Sequence, residues 1–354
     1  MTMDEYKITQ KSDFRAPQPP AAVCKALYDA ADRVKKLAPW KLFCEVDICE
    51  IYLKDQEEPF YCSIQGMFED LERISVYRGI EGLISLSGYI NGSELPEYAA
   101  LSRKNCLECM WLGRNDLRRH DLNCVRLAEK KYRGHDAWPL FRCYETGYEP
   151  YYLDPSQMEL MAEVMNQLCN AMDELQSSGE LPDMNEGERI RRMYDEQEDI
   201  WVNEILAPIE KIEAVTDGCV ITDELLVRRL QKKNVNGCSL EFDMPFLPVP
   251  VQEDGYRGRR RYPKLCILCD ADRACVENQY FVSPGEDPRD VALGMLVGYI
   301  EEKGRPQTVY VRDPGILGII GNLCSQVKIE ICFSPILKML DFFVEDIMLQ
   351  LEGE

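Results

Sequence analysis

The chain has 354 residues, with 62 Asp and Glu against 41 Lys and Arg, for a net charge of −21. That length favours two hydrophobic cores over one. The charge disfavours nucleic acid and anionic membranes as general partners while permitting a basic protein partner, although solubility alone also accounts for it; no run of about 20 apolar residues is present to span a membrane, and the polar start MTMDEYKITQ lacks the apolar stretch of a secretory signal.

Residues 1–19 mix charge and proline without periodicity and read as a flexible tail. From 20 onward Val23, Leu27, Ala31, Val34 and Leu37 recur at helical spacing, with Pro39 as a stop. Three apolar runs follow, 42–53, 59–65 and 71–77, separated by polar turns, and predict a strand meander. Gly79 opens a helix to about Ile90, and two more helices are expected near 95–111 and 115–131. The aromatic stretch 132–154 reads as a long loop. Asp154-Pro155 then supplies an N-cap and a first-turn proline for a helix that lines up Met158, Met161, Met165, Leu168 and Met172 as core or as a dimer surface.

SSGELPDMNEG (177–187) is the best linker. Residues 180–204 carry nine acidic and three basic side chains, which suggests a solvated helix. A helix at 222–232 and strands at 239–250, 263–270 and 274–282 come next. Helix 287–303, strand 307–312, helix 314–326, strand 328–333 and helix 335–351 complete the order βββαβαβα. The expected class is therefore mixed α+β and α/β. An N-terminal α+β domain (20–178) has a helix and a strand meander with helical cover. An acidic helical connector (179–236) leads to a C-terminal α/β domain (237–354) built on a mixed sheet.

Sixteen cysteines sit largely inside apolar runs such as KLCILC, so free buried thiols in a reducing cytoplasm are the simpler reading. No cofactor is predicted, but two metals have a pattern. Cys106-x2-Cys109 with His120 and Cys124 has the residue types and spacing of a tetrahedral zinc site, against which stands packing in a helical pair. Cys266-x2-Cys269 lies on a strand, where residues three apart face opposite ways, and so reads as core. The βββαβαβα order is that of a ribonuclease H-like domain, whose carboxylates hold magnesium. Asp243 on its first strand, Asp313 at a later strand end and Glu345 or Asp346 on the last helix are the candidates. Asp313-Pro-Gly equally reads as a helix cap.

Two further constellations concern ligands. Arg257, Arg259, Arg260 and Arg261 form a basic run suited to an anion or an acidic partner, or simply a solvated loop. His135, Asp136, Trp138, Arg142 and Tyr148 bring titratable and aromatic groups together as a ligand cleft, or pin a loop to the core. Phosphate loops, the G-x-S-x-G elbow and H-E-x-x-H are absent.

Leu37-Ala-Pro-Trp40, Tyr61-Cys-Ser-Ile-Gln-Gly66, Val76-Tyr-Arg-Gly79 and Tyr132-Arg-Gly-His-Asp-Ala-Trp-Pro-Leu-Phe-Arg142 with Gly147-Tyr148 resemble an uncharacterised bacterial protein family that joins two domains of unknown function. The strand around Asp243, Tyr280–Pro284, and Gly304-Arg-Pro306 leading to Val309-Tyr-Val-Arg-Asp313 are similar to its companion domain. Glu145-Thr146 before Gly147 departs from that pattern, where proline is expected. The resemblance implies the two-domain layout and brings no activity. The expectation is thus a non-catalytic cytoplasmic protein that binds a protein or a small ligand. The alternatives are a metal-dependent phosphoryl-transfer enzyme or nuclease in the C-terminal domain, and a zinc-stabilised interaction module.

Overall fold

Helix α1 (Ala21–Leu37) turns Cys24, Leu27, Tyr28, Ala31 and Val34 inward, as its spacing predicts, and ends where Ala38 takes a left-handed conformation. It belongs to a computed structural model that describes residues 16–352 other than 55, 69–70, 92–94, 102–103, 184–185, 210–217 and 251–258. Most of the expected tail, and Arg257, lie outside the described residues. The described residues divide into two compact units, one drawn from 1–90, 104–212 and 254–259, the other from 91–103, 213–253 and 260–354.

The first unit is built on a mixed seven-stranded sheet. Strands β1 (Cys49–Ile51), β2 (Phe60–Gln65) and β3 (Arg73–Arg78) form the expected meander, followed by α2 (Gly79–Asn91). The meander continues through β4 (Cys106–Leu112) and β5 (Trp138–Tyr144), giving the order β5-β4-β3-β2-β1. Two expectations are corrected here. The helix expected over 95–111 is a short helix α3 (Glu97–Leu101) followed by β4, and the aromatic loop contains the edge strand β5. CLECMWL is buried almost throughout, so it carries no alternation that would mark it as a strand. Between these strands, α4 (Arg119–Leu127) matches the second of the two expected helices.

A third correction concerns the acidic stretch. It is a hairpin, not a solvated helix: β6 (Arg189–Asp195) and β7 (Ile200–Leu206) pair antiparallel, and β6 adds to β1 in parallel. The arginines of the hairpin are paired with carboxylates, while Glu196, Glu198 and Asp199 at its turn are exposed. Arg191 stands opposite Glu50 in the register, and Glu50 accepts from Arg189 at 3.2 Å and from Arg191 at 3.3 Å. Arg192 is buried, and it donates to Gln167, Glu174 and Asn203 at 2.8–2.9 Å. Helix α5 (Pro155–Ser178) packs its Met158, Met161, Met165, Leu168 and Met172 into the core with α1, so the methionine face is core.

The second unit has the expected βββαβαβα order: β8 (Ser239–Asp243), β9 (Lys264–Asp270), β10 (Cys275–Val282), α7 (Pro288–Lys303), β11 (Thr308–Val311), α8 (Pro314–Val327), β12 (Glu330–Phe333) and α9 (Lys338–Glu352). Helix α6 (Glu224–Gln231) precedes it, capped by Asp223. The sheet order is β10-β9-β8-β11-β12, antiparallel from β10 to β8 and parallel from β8 to β12. Both faces are covered. Cys266 and Leu268 pack with α6, α7 and α8, whereas Leu265, Ile267 and Cys269 pack with α9 and with Tyr98 and Ala99 of α3.

Gly304 ends α7 with φ 94° and ψ 178°, a region closed to residues with a side chain. A Cβ there would lie 2.6 Å from the Asn234 carbonyl oxygen, which already accepts the Arg305 N–H at 2.8 Å. Gly304→Ala is expected to cost on the order of 1–3 kcal/mol. Urea denaturation followed by circular dichroism measures it, and an unchanged midpoint would contradict the argument.

Candidate functional site

The aromatic segment builds one wall of a cavity in the first unit. After β5 the chain turns back so that Cys143 and Tyr151 exchange backbone hydrogen bonds at 2.8 and 3.0 Å. Asp154 then opens α5 with a reciprocal cap: the Gln157 N–H donates to Asp154 Oδ1 at 2.9 Å, and the Asp154 N–H donates to Gln157 Oε1 at 3.0 Å. The resulting cavity is about 550 Å³, within the range of small-ligand sites. His120, Tyr151, Tyr152, Gln157, Glu145 and Arg259 are among the residues that line it.

Of the five expected cleft residues, none of His135, Asp136, Trp138, Arg142 and Tyr148 lines this cavity. His135 and Asp136 are exposed in a turn, with Asp136 at φ 52°. Trp138 is half-buried against Tyr132. Arg142 is fully buried, donating to both Asp121 oxygens at 2.8 and 3.0 Å. Burial works against its charge, but Asp121 holds its pKa above the ordinary value. Its guanidinium lies 5.0 Å from the Tyr152 ring centroid, and the His120 ring lies 4.1 Å from that of Tyr152. Arg142 therefore positions a ring of the cavity wall. His120 is the histidine at the cavity, in place of His135, because α4 carries it to Tyr152.

The basic run is divided. Arg259 is buried in the first unit, ion-paired with Glu145, with its guanidinium 5.1 Å from the Tyr148 ring centroid. Arg260 and Arg261 are half-buried and belong to the second unit, and Arg257 lies outside the described residues.

The cysteine and histidine set does not assemble. Cys106 and Cys109 lie on a strand, not a helix; Cys109 joins the hydrophobic core, while Cys106 shares the opposite face with Glu108. Cys124 meets the Cys24 thiol, and His120 stacks on Tyr152. Burial pushes the Cys106 and Cys109 thiols well up, so both stay neutral. Among the described residues no group of three or more His, Cys, Asp or Glu is placed to hold a metal ion. Cys266 and Cys269 do face opposite sides, and burial pushes each up to about 12.

The second unit brings one expected carboxylate to an unexpected partner. Asp243, at the end of β8, lies 2.7 Å from Arg312 Nε. Arg312 follows β11, is fully buried, and also pairs with Asp341 on α9. The Tyr98 hydroxyl donates to Asp341 at 2.6 Å and accepts from Arg312 at 3.2 Å. Burial pushes the Tyr98 phenol up, so it remains a donor. Asp313 instead caps α8, accepting the Gly315 N–H at 2.7 Å, and Glu345 and Asp346 are exposed. The three expected carboxylates thus do not form a metal site, and a guanidinium takes the position between the carboxylates of β8 and α9. Arg312 and Asp341 were missed in the sequence. The only signal was that Thr308, Tyr310 and Arg312 share one strand face, which puts a cation on the side that α9 covers.

Among the described residues no helix is long and apolar enough to cross a membrane. Residues 25–192 match the model of a domain of unknown function, DUF7309, and residues 226–348 that of a second, DUF6930. No curated protein and no solved structure matches the chain.

Proposed function

We propose that this chain, a protein that joins these two domains of unknown function, is a non-catalytic cytoplasmic binding or regulatory protein whose ligand site is the cavity of the first unit. The observation that carries this reading is the cavity itself, about 550 Å³ in volume, which combines the aromatic rings of Tyr151 and Tyr152 with charged and polar side chains. The second unit supports it from a different direction. Its βββαβαβα element order is the one expected of a ribonuclease H-like domain, but the place between Asp243 and Asp341 holds Arg312, so the carboxylates are already neutralised. A cytoplasmic setting accords with cysteines that are free thiols, most of them buried as packing groups.

A ligand that binds only the folded chain at 100 times its dissociation constant stabilises it by about 2.7 kcal/mol. The full chain, screened by thermal shift against a panel of small metabolites, is expected to gain such stability from at least one of them. The gain should disappear in Ser156→Trp, which places a large side chain at an exposed position of the cavity rim without touching the core. A panel without any stabilising compound, or one acting equally on Ser156→Trp, contradicts the proposal. So does Mg²⁺- or Mn²⁺-dependent cleavage of nucleic acid that is lost in Asp243→Asn.

A further inference from the structure

The chemistry of the cavity wall narrows its ligand to one class, on the premise that the cavity is the ligand site. Two N–H donors there lack good acceptors. Arg259 is 6% exposed; it ion-pairs with Glu145, its Nη2 lies 3.4 Å from the Glu149 carbonyl oxygen, and its buried Nε has no hydrogen-bond partner among the described residues. Buried guanidinium N–H groups carry the full cost of lost hydration when no acceptor meets them. Gln157 commits Oε1 to the Asp154 N–H and turns Nε2 to the Cys143 sulfur at 3.3 Å. That sulfur is a weak acceptor, and burial raises the Cys143 pKa so that it stays a neutral thiol.

Both donors line the same cavity, beside the N-terminus of the 24-residue helix α5, whose dipole favours negative charge. The acceptor that now holds Arg259 is replaceable, because the Glu145 side chain is 47% exposed and can turn to water. Glu145 and the capping Asp154 also line the wall, so a polyanion is repelled and a compact anion favoured. His120, Tyr151 and Tyr152 offer ring faces and edges to the rest of the ligand, with the two tyrosines packed edge to face at 5.2 Å.

We propose that the cavity binds a small organic oxyanion, a carboxylate or a phosphate monoester on an aromatic body, and that the oxyanion displaces Glu145 from Arg259. Glu145 is then a competitor for the site. Its removal strengthens binding, the reverse of what a wall residue contacting the ligand would do.

Isothermal titration of the full chain with benzoate, phenyl phosphate and the neutral benzamide tests this. Benzoate or phenyl phosphate is expected to bind and benzamide not to; whichever anion is tighter identifies the source chemistry. Glu145→Gln is expected to tighten the anion roughly tenfold, and Arg259→Met to weaken it by at least that factor, the size of one charge-assisted hydrogen bond. Arg259→Lys, which keeps the charge, is expected to retain part of the affinity and covers the case in which Arg259→Met does not fold. Benzamide binding as tightly as benzoate, no binding of either anion, or weaker binding in Glu145→Gln overturns the proposal. If Ser156→Trp abolishes binding while the Glu145 and Arg259 variants leave it unchanged, the cavity stands as the site and the oxyanion assignment falls.

Discussion

Arg312→Met is expected to destabilise the second unit by about 3–5 kcal/mol, because it removes the guanidinium that two buried carboxylates share. Asp243 and Asp341 are 3% and 9% exposed and both lean on this one guanidinium, which Tyr98 joins through its hydroxyl. An isolated buried charge is far costlier than the pair is favourable, so the loss exceeds what the ion pair itself contributes. It follows that replacing Asp243, Arg312 and Asp341 together with apolar residues of similar volume costs less than Arg312→Met alone. The measurement can separate the units. All four tryptophans, Trp40, Trp111, Trp138 and Trp201, lie in the first unit, so fluorescence reports that unit while circular dichroism reports both. A urea transition that stays within about 1 kcal/mol of the parent would mean that the network contributes no more than a surface pair.

Glu108→Gln is expected to have a comparable effect on the first unit, again about 3–5 kcal/mol at neutral pH. Glu108 is fully buried on β4, opposite Ser75 of β3 in the register. Ser75 Oγ donates to it at 2.7 Å, Lys104 Nζ lies at 2.7 Å and Arg73 at 3.6 Å. Lys104 also sits 4.1 Å from the Tyr144 ring centroid. Neutralising Glu108 removes the negative charge that two buried cations share. Burial by itself would push the Glu108 carboxyl up, but Lys104 and Arg73 hold it below the usual glutamate value. A carboxyl whose pKa is lowered on folding stabilises the fold above its unfolded pKa, and that stability is lost as pH falls through the folded value. Tryptophan-monitored urea transitions are therefore expected to weaken below about pH 4.3 in the parent and to be flatter with pH in Glu108→Gln. The same acid dependence in both proteins would remove Glu108 from the explanation.

These two networks differ in how far their parts were visible in the chain. Arg312 lies in the run Val309-Tyr-Val-Arg-Asp313 and Asp243 is a carboxylate on an expected strand, yet their pairing joins residues 69 positions apart. The cavity is a sharper case. His135, one of only two histidines, is set among aromatic residues in the sequence, yet it lies in an exposed turn. His120, 32 positions before Tyr152, reached that ring through the packing of α4. Arg259 and Tyr148 belonged to two separate constellations, and only folding brings them within 5.1 Å.

What the sequence determined by itself is the set of elements whose signals are local. The 3.6-residue spacing of Leu27, Ala31 and Val34, the Asp154-Pro155 cap, the hairpin around Asp270-Ala-Asp-Arg273 and the βββαβαβα alternation all depend on residues within a few positions of one another. Only the tertiary structure decided what depends on remote partners. Cys106–Leu112 is a strand because neighbours on both sides and cover on both faces hide its period. Residues 189–206 form a hairpin whose arginines look solvated in the sequence but are neutralised by Glu50 and Glu174, with Gln167 accepting a hydrogen bond from Arg192. Periodicity is a property of one segment, whereas strand pairing, charge compensation and cavity walls are properties of segments that meet only after folding.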